Sequence, residues 1–124
     1  MAMILLPETD EQCEEWLASK DKDEIVGHTC DADDCLVYHF LRSLGASAST
    51  CVFGSQYRSD GDWQEYPTPL WARELIFAFD VRPGVQIGVT AGDALATLRS
   101  LRWQREADAD AAAAAAYLAP ADGR

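Results

Sequence analysis

The sequence predicts a small α+β domain, mainly α, with about four helices and a minor β element of one or two short strands. Three observations carry this. Four segments repeat apolar residues every three or four positions, as one helix face requires. Two of the four end or begin on strong stop or start residues, Gly45 and Thr90. Only two stretches, around Cys51 and Val89, carry the β-branched and aromatic residues of strands. At 124 residues and 48% apolar composition, the chain is long enough for one hydrophobic core. Residues 1–104 are expected as a single globular unit and 105–124 as an Ala-rich helical extension or frayed tail.

"PETDEQCEEWLASK" reads as the first helix. Thr9 or Asp10 caps it, acids fill its first turn, and Cys13, Trp16 and Leu17 form its apolar stripe. A polar turn, "DKDEIVG", follows. "DADDCLVYHFLRSLG" reads as the second helix, capped by Asp31 or Asp33 and ended by Gly45, with Leu36, Val37, Phe40, Leu41 and Leu44 on one face. Ser49 to Arg58 reads as one strand, and "SDGDWQEYPTP" as a loop. "TPLWARELIFAFD" favours a helix, because Thr68-Pro69 is a start signal and Trp71, Ala72, Leu75, Ile76 and Phe79 share a face. The alternation in "ELIFAFDV" leaves a strand open for residues 70–81. "VQIGV" is a short strand or extended connector. The last helix starts at Thr90, with Asp93 placed as in a capping box.

The net charge is −11, and it is unevenly spread. Eleven acids against two lysines up to Asp34 give −9, whereas ten acids against eight arginines after it give −2. Direct binding to a nucleic-acid backbone needs clustered cations and is therefore not expected. A partner protein with a basic surface is. The residues expected to meet it are Glu11, Glu14, Glu15, Asp21 and Asp23, with Trp63 and Tyr66 as aromatic anchors in the Pro-bounded loop. A sharper form of the same expectation is a nucleic-acid mimic, such as a phage anti-defence inhibitor, whose carboxylates compete for a basic groove. Arg99, Arg102 and Arg105 recur every three residues and are expected to meet the acidic first helix, by default within the same chain and otherwise in a second copy. The opening apolar run, Met3–Leu6, is too short for a signal peptide or a membrane span, which leads to the expectation of a soluble cytoplasmic protein with free thiols and no membrane partner.

One cluster offers chemistry. "GHTCDADDCLVYHF" holds both histidines and two of the four cysteines. With the second helix starting at Asp31 or Asp33, Cys35 and His39 lie one turn apart, off the apolar face, and are expected to be partly exposed. His28, Cys30, Cys35 and His39 then make a possible zinc set, although the spacing lacks paired C-x₂-C knuckles; without such a set no cofactor is expected. A thiol–imidazole pair of Cys35 and His39 is the enzymatic alternative, opposed by three aspartates that disfavour a thiolate. Cys13 and Cys51 are expected in the core.

Overall fold

A computed structural model describes residues 4–47, 50–59, 64–80 and 86–118. Four helices and five short strands follow one another: α1 (Glu11–Ala18), β1 (Ile25–His28), α2 (Leu36–Ser43), β2 (Cys51–Val52), β3 (Gln56–Arg58), β4 (Tyr66–Pro67), α3 (Leu70–Phe79), β5 (Gly88–Thr90) and α4 (Ala91–Leu118). The fold class is as the sequence predicts, with more strands than expected. β1 pairs antiparallel with β5, and β2, β3 and β4 form a second antiparallel sheet in that order. The single strand expected over Ser49–Arg58 is therefore a hairpin. Gly54 turns it at φ 85°, where a side chain would be strained and would meet the Phe77 ring. The loop expected after it contains β4.

The core is built mainly by the helices. Val37, Phe40 and Leu41 of α2 are buried against Leu17 and Cys13 of α1 and Trp71, Ala72 and Leu75 of α3. Trp16, Phe40 and Trp71 form an aromatic run, with centroids 5.6 Å and 6.0 Å apart at tilted and edge-on angles suited to ring quadrupoles. α2 ends as its sequence demands. Gly45 takes φ 113° and donates to the Arg42 carbonyl, while Ala46 donates to that of Leu41, a complete Schellman motif. The N-terminal segment is tied down by two long-range bonds. Leu6 N–H donates to the Tyr57 hydroxyl, and the Trp71 indole N–H donates to the Pro7 carbonyl.

β1 lies directly on the start of α2. A Cβ on Gly27 would come within 2.4 Å of the Leu36 backbone nitrogen, so only glycine allows this approach. β5 then passes into α4 without a loop. Ala91 N–H donates to the Glu24 carbonyl and Gly92 N–H to that of Lys22, while the Thr90 hydroxyl accepts from Asp93 N–H as the capping pattern implies. α4 packs on α1, α3 and β5 through Ala91, Ala94 and Leu98. It continues unbroken through the Ala-rich segment to Leu118.

Charge sets the crossing of α4 over α1. Asp10 stands at the N-cap of α1, as expected, but its carboxylate makes no cap bond. At 6% exposure it accepts instead from Arg102 (2.8 Å) and Arg105 (3.1 Å). Arg102 and Arg99 also reach Glu14, and Arg105 reaches Glu74 of α3. The in-chain meeting of the arginines with α1 is thus observed. The two arginines hold the Glu14 carboxyl below its ordinary range, and the Arg102 guanidinium is pushed further up by Asp10.

Removing the Asp10 carboxylate leaves Arg102 with Glu14 alone and Arg105 with Glu74 alone, so Asp10→Ala lowers unfolding free energy by about 1–3 kcal/mol through the lost charge-assisted hydrogen bonds. Gly27→Ala forces β1 off α2 at about 2–3 kcal/mol. Urea denaturation reads both, and a midpoint unchanged in either variant contradicts the corresponding contact. For pH, Glu14 binds a proton less readily folded than unfolded. Its stabilisation is complete above its ordinary pKa of 4.5 and is lost as pH falls through the lower folded value. In thermal melts from pH 6 down to pH 3, Glu14→Gln is expected to reduce the acid slope.

Candidate functional site

The segment between β1 and α2 does not begin a helix at Asp31 or Asp33. It forms a turn in which Asp33 N–H donates to the Asp31 carboxylate and Asp34 N–H to the Asp31 carbonyl. An aspartate carboxylate that accepts the N–H two residues on offers the backbone this local bond in place of helix. The Asp31 carboxyl is held below its usual range by the hydrogen bond shared with Asp33, and Asp33 is raised by the same bond. The helix starts two to four residues later than the caps imply, with Cys35 at the N-cap in extended backbone (ψ 164°).

That shift corrects the placing of Cys35. It is not on the helical wheel beside His39 but is 9% exposed within the core cluster, and burial raises its thiol to about 11. The thiol–imidazole pair has no geometric basis. Cys30 takes φ 59°, with its N–H donating to the Asp80 carboxylate at 3.1 Å. Cys30 and Cys35 line a pocket of about 210 Å³ with Phe53, Phe77 and Asp80. Cys13 is fully buried as expected, whereas Cys51 is only half-buried in β2.

The histidines turn the other way and meet at Asp34, which the sequence pattern does not single out. His28 Nδ1 lies 2.9 Å from Asp34 Oδ2, and His39 Nε2 lies 2.7 Å from Asp34 Oδ1. An ionised carboxylate only accepts, so both facing nitrogens carry protons and each imidazole is fixed in one tautomer. All three side chains are about 40% exposed, so this bridge orients the rings more than it stabilises the fold. Its backbone counterpart is His28 N–H donating to the Asp34 carbonyl at 2.8 Å. Among the described residues, no three His, Cys, Asp or Glu side chains are arranged to hold a metal ion. His39 also faces an open groove of about 340 Å³, whose walls include Trp16, Lys20, Glu24, Ile25 and Arg42.

The acidic residues divide into two groups. Asp10 and Glu14 are occupied within the chain, which removes Glu14 from the expected free docking set. Glu11 and Glu15 lie one turn apart on the outer face of α1, away from Cys13 and Leu17. Asp21 and Asp23 follow in the exposed turn, where Asp21 accepts the Asp23 N–H. Among the described residues no cation pairs with Glu11, Glu15, Asp21 or Asp23. Lys20 is drawn to Glu24 at 3.7 Å and lies over the Trp16 ring. Tyr66 is not a free loop anchor. It lies in β4, half-buried, with its ring 5.8 Å from that of Tyr57. Trp63 lies outside the described residues.

Comparison with known protein families, curated proteins and solved structures finds no match to this chain. Among the described residues no helix is long and apolar enough to cross a membrane.

Thiol accessibility tests the cysteine geometry. Cys13 and Cys35 are buried and held protonated, so a native Ellman titration at pH 8 is expected to find at most two reactive thiols, and all four after unfolding. Three or four fast thiols in the folded protein contradict the burial of Cys35.

Proposed function

We propose that this chain is a protein-interaction module that docks a basic partner surface on the outer face of α1 and the turn that follows it. One observation supports the reading above the others: the separation of the acids into a consumed set and an exposed set. The arginines that could neutralise α1 all approach it from the α4 side and are occupied by Asp10, Glu14 and Glu74. Glu11, Glu15, Asp21 and Asp23 are left exposed to solvent. With four such carboxylates against Lys22 in the same turn, the net negative field on this helix and turn attracts cationic partners and speeds their encounter, with a strong dependence on salt. The same field repels a phosphate backbone, so the partner is a protein and not a nucleic acid.

An oligo-arginine peptide serves as a defined cationic probe in titrations between 50 and 300 mM salt. Glu11→Lys/Glu15→Lys is expected to weaken binding by about tenfold or more and to flatten its salt dependence. Glu65→Lys/Asp108→Lys makes the same change in net charge on other exposed positions. Equal losses from the two pairs mean that net charge alone attracts the probe, and the docking face is then abandoned.

A further inference from the structure

Beyond Arg105, which reaches Asp10 and Glu74, α4 packs against no other helix or strand among the described residues. The helix is 28 residues long, and its buried positions, Ala91, Ala94 and Leu98, all fall in its first third. Beyond them Trp103 is 67% exposed, Tyr117 89% and Leu118 78%. Large apolar side chains left in water on such an overhang are a cost that burial against a partner would remove. These exposed groups are not scattered. At 100° per residue, Trp103, Ala107, Ala111, Ala114 and Leu118 fall within an arc of about 80°, on the side of α4 roughly opposite Leu98. Tyr117 borders the same arc.

From this pattern we propose that the stripe is a self-association surface, its occupant the same stripe of a second copy of this chain running antiparallel. Three features select that occupant. The stripe is self-complementary about a two-fold axis between residues 110 and 111: Trp103 meets Leu118 of the second copy, and Ala107 meets its Ala114. Bulky groups close the two ends and alanines the middle, where they let the backbones come close, as an isologous pair requires. Charge selects the antiparallel direction. Glu106, Asp108 and Asp110 occupy the first half of the segment, and residues 111–116 are all alanine. A parallel pair stacks each acid against its own copy, whereas the antiparallel pair sets acids against alanine. It also brings the C-terminal end of each helix toward the turn Arg99–Arg105 of the other, where cations suit the helix dipole. The area sets the strength. Two aromatic rings, a leucine and three alanines per copy amount to about 800–1,000 Å² in total, the low end for a specific interface, so the pair dissociates in the micromolar range.

Asp110 is the one charge beside the stripe, next to the two-fold axis, and it makes the proposal sharp. Sedimentation equilibrium of the full chain from 1 to 300 µM is expected to show the mass rising from one chain toward two. Ala111→Glu, on the stripe, weakens the pair by about tenfold or more, because it buries an unpaired carboxylate. Ala112→Glu, on the far side of the same helix, changes the affinity less than about threefold although it alters charge and helix propensity equally. Asp110→Ala tightens the pair, and circular dichroism confirms that all three variants keep their helix. A chain that stays monomeric at 300 µM overturns the proposal. So do equal effects of Ala111→Glu and Ala112→Glu, or a mass that climbs past two copies.

Discussion

The arrangement of the helices depends on one carboxylate. Asp10 is nearly inaccessible to solvent, and an ionised acid in that position is tolerable only because Arg102 and Arg105 both reach it. Each arginine then extends the link, one to Glu14 on the next turn of α1 and the other to Glu74 on α3. Three helices far apart in sequence are thereby held through one planar group. Such a network contributes less to net stability than the apolar core beside it, because desolvation cancels much of the attraction. What it supplies is orientation. Leu98 and Ala94 could rest on α1 and α3 at many angles, but two guanidinium groups three residues apart can meet Asp10 and Glu14 at few.

The same network decides which acids face outward. An acidic helix next to an arginine-bearing helix is a charge-paired interface, and α1 is acidic on more than one face. The side toward α4 is neutralised, so the field that reaches solvent comes from Glu11, Glu15 and the turn after α1. That turn is itself held in place. The carbonyls of Lys22 and Glu24 accept the first two N–H groups of α4, so the segment bearing Asp21 and Asp23 forms part of that helix's start. The exposed acids sit on rigid elements at both ends.

Much of the fold was legible wherever a long period or a capping residue was present. The α2 face of Leu36, Val37, Phe40 and Leu41, its stop at Gly45, the helix after Thr68-Pro69 and the Thr90–Asp93 start all follow from local rules. Strands of two to four residues carry too few positions to show alternation, so β2 and β3 read as one strand and β4 as loop. The start of α2 was misplaced because Asp31 is as good a turn former as a helix cap, and local sequence does not choose between them. Moving that start to Leu36 took Cys35 off the helix and into the core. The candidate histidines were legible as residues but their partner was not, since His28, Asp34 and His39 meet only once Gly27 lets β1 lie against α2. Asp10 was found at the right position with a different task, because the arginines that claim it lie more than ninety residues away.

The loopless passage from β5 into α4 has a mechanical consequence. With the strand's last residue followed at once by the first turn of helix, and that turn hydrogen-bonded to the chain leading into β1, the ribbon and the helix share one rigid joint. A 28-residue helix is about 42 Å long, so a tilt of about 10° at that joint carries its far end through about 7 Å. The direction in which Leu118 projects is therefore set by the geometry of this joint and by the arginine contacts further along the helix. The chain is built like a lever: its fulcrum is the β1–β5 pair, and Asp10 is the latch that holds the arm against the body.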